Sequence, residues 1–277
     1  AEGLQQTPQL GTLAQLAPRA TGSTPYTLAL AFRRGVPELQ VSTTLQGLAL
    51  ALPPPLGKPA DSSLPVRFET QVARESLTGL AANGNGNNAP PLRDQITLDL
   101  GALGSATYLR DLSGPQPRVL RGAIGLGLSG GESAPVPMQG VAANIQVGEV
   151  DVDAWESLLL GPAAGERAPV APGTGEAGTI QDYLPHVLAV RAKALTVQGR
   201  TLHQVLVGGS REGRVWRANL DAQELNGYVE YRQAGAQDAG AGRLFARLAR
   251  LTVPQSAASE VEALLDEQPG NLPSLDI

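Results

Sequence analysis

Cysteine is absent from the chain, which excludes disulfides, thiolate nucleophiles and cysteine-ligated metal sites together. The absence permits an oxidising compartment without requiring one. No apolar run reaches the roughly 18 residues that a membrane-crossing helix needs, and no signal-peptide pattern leads the sequence. This stretch is therefore expected to be soluble, with any membrane anchor outside it. Cations are scattered: the only lysines are Lys58 and Lys193, and the arginines form no polybasic run. With a net charge of −5, a nucleic-acid partner is not expected, because phosphate binding needs clustered cations. Aromatic residues make up only 4% of the chain, so packing must rest mainly on aliphatic side chains.

Breakers are abundant instead. The 277 residues include 33 glycines and 22 prolines, a composition that favours many short strands and turns over long helices. Residues 1–25 show no period and read as an irregular lead-in. From Tyr26 the alternation is clear: Tyr26, Leu28, Leu30 and Phe32 fall on one face of a strand, with Thr27, Ala29, Ala31 and Arg33 on the other. Leu39, Val41, Thr43 and Leu45 repeat it, a third strand carries Leu48, Leu50 and Leu52, and Val66, Phe68, Thr70 and Val72 alternate with Arg67, Glu69 and Gln71. ANGNGNNAPP at 82–91 is a loop, and Ile96, Leu98 and Leu100 resume the strand pattern.

DVDAWESLLL at 151–160 then changes period. Asp153 as N-cap with Glu156 three residues on makes a capping box, which predicts a short helix. Residues 161–179 read as a flexible linker. After Leu184-Pro185 the strand pattern returns through GRTLHQVLVGG, GRVWRANLD and LNGYVEYR. In RLFARLARLTV the spacing of Leu244, Leu248 and Leu251 fits a helix better than a strand, and SEVEALLDE at 259–267 predicts a second short helix. LPSLDI at 272–277 starts like the earlier Leu-Pro strands, so the sequence reads as a piece of a longer, repetitive chain. The organisation expected is a lead-in over 1–25, a β-sheet segment over 26–160, the linker over 161–179, and a second β-sheet segment over 180–277.

Three stretches together carry a resemblance: LPPPLGKPADSSLPVRFE at 52–69, VDVDAW at 150–155, and the ordered run Leu184-Pro185, Gly199–Leu202, Gly213–Trp216 and Leu225–Gly227. The chain resembles the AsmA-like family of Gram-negative bacteria, in particular its large YhdP-type members, most densely after residue 140. The resemblance implies a mostly β fold, an elongated, curved antiparallel sheet with an open groove, accompanied here by two short helices. It also implies a periplasmic location, an inner-membrane anchor elsewhere in a longer chain, and a non-enzymatic role in moving phospholipid between the inner and outer membranes. On this view residues 243–251 form a strand, against the local reading. The partners implied are phospholipid acyl chains and other segments of the same longer chain, and no cofactor is expected.

Acyl chains need burial and no polar recognition, at about 0.8 kcal/mol per CH₂, so such a site leaves no sharp motif. The candidate groove residues are the apolar faces of the best strands: Leu28, Leu30, Val66, Phe68, Leu188, Val190, Leu206 and Trp216. Small residues such as Ala29, Ala31, Ala189 and Ala192 would suit a smooth wall. The alternative is a structural or partner-binding β-sandwich whose apolar stripes meet in a closed core.

Catalytic signals are weaker. Gly127-Leu-Ser129-Gly-Gly131 matches a nucleophile elbow, and Gly125, Gly127 and Gly130 match a dinucleotide fingerprint. Both motifs need a helix next, whereas GESAPVPMQG follows with two prolines and no period. His186 and His203 have no metal-ligand spacing around them and read as strand residues. Trp155 and Trp216 read as packing anchors.

Overall fold

The computed structural model describes residues 17–78, 91–128, 134–160, 180–233 and 242–252. Alternating runs become strands wherever a turn of the right chemistry follows. Arg34-Gly35 and Gln198-Gly199 each place two consecutive residues at positive φ (53° and 77°, 51° and 70°), the backbone twist that a two-residue hairpin turn requires. These turns join β2 (Tyr26–Arg33) to β3 (Val36–Thr43) and β10 (Val187–Val197) to β11 (Arg200–Glu212). Between them run β5 (Val66–Val72), β6 (Arg93–Asp99), β7 (Gly104–Asp111), β8 (Arg118–Leu126) and β9 (Gly140–Asp151). After β11 come β12 (Val215–Asp221), β13 (Leu225–Arg232) and β14 (Arg243–Leu251).

These twelve strands form one sheet in near-sequential order, from β2 at one edge to β14 at the other, and it does not close. Neighbours are antiparallel except β8–β9 and β9–β10, which are parallel. A parallel neighbour requires a crossover, and the second crossover holds the predicted helix, α2 (Val152–Leu160). The other short helix is α1 (Arg74–Thr78), after β5; the one expected at 259–267 lies outside the described residues. The lead-in contains a strand, β1 (Ala20–Gly22), which pairs with β4 (Leu48–Leu50) as a separate two-stranded sheet. No second large sheet packs on the first among the described residues, so they do not build the sandwich.

The register sorts the side chains into two faces, since directly opposed residues point the same way. One row crosses all twelve strands: Leu28, Val41, Phe68, Leu98, Ala106, Ile124, Ala143, Leu188, Gly209, Ala218, Val229 and Ala246. No polar side chain interrupts it. The adjacent row, on the opposite face, includes Gln40, Glu69, Thr97, Thr107, Ser210, Arg217 and Glu230. Hence the sheet has an apolar face and a polar face, the pattern of an antiparallel sheet with water on one side. At about 4.8 Å per strand, the apolar row runs for roughly 53 Å.

Residues 243–251 are strand, and the register explains their helical spacing. Leu244 pairs with Tyr231 and Leu248 with Gly227, but Leu251 pairs with Leu225 across a register shift that leaves Ala249 without a partner. A bulge adds one residue, so a three-residue step returns Leu251 to the face of Leu244 and Leu248. A bulged strand thereby imitates the i, i+4, i+7 spacing of a helix.

Candidate functional site

Seven of the eight candidate residues share the apolar face. Leu28 and Leu30 stand on β2, Val66 and Phe68 on β5, Leu188 and Val190 on β10, and Trp216 on β12. Leu206 does not join them. It pairs with Arg191 and Asp221 on the polar face and lines a depression of about 540 Å³ with Asn144, Arg191 and Asn219. Of the small residues, Ala192 lies on the apolar face, paired with Val147 and Val205. Ala29, Ala31 and Ala189 lie on the other face, opposite Gln40, Glu38 and Asn144.

Exposure varies along the apolar face. At its β2 edge Tyr26, Leu28, Leu30 and Phe32 are all exposed, and at the β14 edge so are Leu244, Leu248 and Leu251. In the middle, Val141, Ala143, Ala192 and Val205 are buried. Trp216 sits beside Tyr231 in the register, with the Arg211 guanidinium 5.5 Å from its ring centroid, a cation–π contact.

A buried polar island interrupts the face, which also carries Thr70, Glu149, His203 and Arg211. Asp94, in the row above Ile96, is buried, and Arg110 meets it through two hydrogen bonds, Nε to Oδ1 at 3.0 Å and Nη2 to Oδ2 at 2.5 Å. Arg110 Nη1 donates to the Tyr183 hydroxyl at 3.1 Å, and the Tyr108 hydroxyl donates to the Tyr183 carbonyl at 3.2 Å. The two tyrosine rings meet edge to face with centroids 5.2 Å apart. Burial works against the Arg110 charge, but the hydrogen bonds to Asp94 and Tyr183 outweigh it and raise its pKa. Burial, helped by Tyr183, also raises the Tyr108 pKa. Gly122 makes room for the Tyr108 ring: a Cβ there would lie 2.5 Å from Tyr108 Cδ1. Sequence reading missed this cluster, because nothing in the spacing of residues 94, 108, 110 and 183 brings them together.

The remaining motifs find structural work. Asp151, rather than Asp153, caps α2, accepting from the Ala154 N–H at 2.9 Å. The Asp153 carboxylate accepts instead from the Gln198 and Gly199 N–H groups, each at 2.7 Å, and so fastens the β10–β11 turn. Trp155 Nε1 donates to the Pro54 carbonyl at 2.9 Å. His203 does have a carboxylate partner: Glu224 lies 2.6 Å from its Nδ1 and also accepts from its backbone N–H at 2.8 Å. The bond from that backbone N–H holds the Glu224 carboxyl below the usual range. His186 Nδ1 accepts from the Val141 N–H at 3.3 Å. Ser129 lies outside the described residues. Among the described residues no group of three or more histidines and carboxylates could hold a metal ion, and no helix is long and apolar enough to cross a membrane.

A family model described as YhdP protein matches residues 1–277, the whole of the sequence. No curated protein and no solved structure matches the chain.

Proposed function

The chain belongs to the YhdP family, and from that premise we propose that its apolar face binds phospholipid acyl chains and conducts them across the strands. The observation that carries this reading is the apolar row unbroken over twelve strands, on a sheet whose described strands do not close on themselves. The face is exposed at its β2 and β14 edges, where exposed apolar residues mark sites for apolar partners, and acyl chains gain affinity there from burial alone. Leu28, Leu30, Val66, Phe68, Leu188, Val190 and Trp216 are the contact residues on this reading. The role is non-enzymatic. The segment works in the periplasm, between an inner-membrane anchor and further segments of the same chain that extend the face toward the outer membrane.

Native mass spectrometry of the protein isolated from its own envelope, with solvent extraction of what it carries, tests the proposal. Phospholipid near one or more equivalents is expected. Val190→Glu places a charge in the path and should strip the lipid while the β-sheet circular dichroism signal persists. A folded protein free of phospholipid, or a folded Val190→Glu variant with its lipid intact, would overturn it.

A further inference from the structure

We propose that the polar face carries a second binding site, for a neutral saccharide, over strands β9 to β12, independent of the lipid reading above. The register lays two rows side by side there. One runs Asn144, Ala189, Gly208 and Asn219, the other Gln146, Arg191, Leu206 and Asp221. Small residues on β10 and β11 thus lie between two asparagines on β9 and β12, strands roughly 14 Å apart at about 4.8 Å per strand. The result is the depression of about 540 Å³, a size at which small-molecule sites occur. Gly208 makes its floor. Its φ lies outside the left-handed region and a Cβ there would meet nothing within 4 Å, so neither the backbone nor packing requires a glycine. Gly209 and Gly227 differ: a Cβ would lie 3.0 Å from the Arg217 carbonyl oxygen and 2.4 Å from that of Arg247. A strand glycine with open space above it marks a place where something else approaches.

The rim is built to exchange hydrogen bonds. The side chains of Asn144, Gln146, Arg191 and Asn219 have no hydrogen-bond or ion-pair partner among the described residues. Asp221 accepts from Asn226 Nδ2 at 3.0 Å through Oδ1, which leaves Oδ2 to accept from a ligand. Carboxamides both donate and accept, a guanidinium only donates, and a carboxylate only accepts. A hydroxyl does both, so a ring of neighbouring hydroxyls satisfies this mixture. Leu206, 43% exposed, adds an apolar surface for the C–H side of a pyranose ring, where burial contributes. Other classes fit less well. A phosphate would meet one cation, Arg191, with the Asp221 carboxylate in the same row. A peptide strand would need unpaired backbone groups, and β9 to β12 are paired on both sides.

Saturation-transfer NMR on the full-length protein in a sugar-free detergent tests the site, with maltotriose, mannotriose, galactotriose and chitotriose as probes and inorganic phosphate as competitor. At least one trisaccharide is expected to receive saturation at its ring protons and to keep it in excess phosphate. Gly208→Val fills the depression without a clash at Cβ and should abolish the signal while the β-sheet circular dichroism persists. Asn144→Ala/Asn219→Ala should weaken binding of the same saccharide at least tenfold. No transfer to any of the four, or displacement by phosphate, would overturn the saccharide assignment. Transfer undiminished in either variant, once folded, would place binding elsewhere in the chain and overturn this site.

Discussion

Edge strand β2 and inner strand β11 obey the same alternation, yet their apolar residues meet opposite fates. Phe32 on β2 is 71% exposed, whereas Val205 on β11 is 0% exposed. Both lie on the apolar face. Val205 packs with Ala192 and Ala222, with Val147, Val207 and Leu220 around them, while among the described residues no such cluster covers β2. Alternation thus records which face a residue joins and says nothing about whether that face is covered. The middle of the sheet already has a small core, and the edges offer apolar surface to something else.

The sharpest way to break this contrast is to place the same charge in both regions. Val205→Glu buries an unpaired carboxylate and should cost roughly 3–5 kcal/mol, measured by urea denaturation. Leu30→Glu on β2 should stay within about 0.5 kcal/mol. Equal losses would mean that the two regions are covered alike.

The polar island sharpens the contrast next. Asp94→Ala leaves the Arg110 guanidinium, whose side chain is only 18% exposed, without its carboxylate, and should cost about 3 kcal/mol. Asp94→Ala combined with Arg110→Met should recover part of that loss, since an apolar replacement removes the stranded charge. A double variant weaker than the sum of the singles would contradict the pairing.

Smaller effects are expected where the sheet is only pinned at its ends. Asp153→Ala frees two turn N–H groups and should lower stability by about 1–2 kcal/mol, with exchange of the Gln198 and Gly199 amides accelerated in hydrogen-exchange NMR. The smallest effect is that of acid. The Glu224 carboxyl, held low by the His203 backbone N–H, and that of Asp111, held low by the Ser113 backbone N–H, both have depressed pKa values. A depressed carboxyl pKa contributes stability that is present above the ordinary carboxylate range and lost as pH falls through the folded value. Stability should therefore decline only below the ordinary range, and Glu224→Gln should flatten that decline slightly. A loss already complete near neutrality would point to other groups.

Much of this was legible in the sequence, for reasons particular residues show. Phe68 alternates with Arg67, Glu69 and Gln71, and Leu28 and Val190 alternate with smaller alanines or with charge, so parity assigns their face. Leu206 sits between Val205 and Val207, where three consecutive apolar residues carry no parity; its face is set by its partners, Arg191 and Asp221. The helical spacing in β14 came from a bulge, visible only once β13 is paired with it. Asp151 and Asp153 offer two cap-like residues two positions apart, and only the backbone decides which serves the helix and which the neighbouring turn. The His203–Glu224 pair and the Tyr183 cluster depend on strands that meet across 21 and 75 residues, a distance that no local pattern spans.

The central claim is that one face of this sheet, and not the other, carries lipid. A photo-crosslinking scan in the full-length protein in its own envelope tests it most directly, with a benzophenone residue placed in turn at Leu30, Phe68 and Val190 on the apolar face and at Arg67, Gln71 and Leu206 on the polar face. The account predicts phospholipid adducts at the first three positions and none above background at the last three. Adducts on both faces alike, or at the polar positions only, would contradict it.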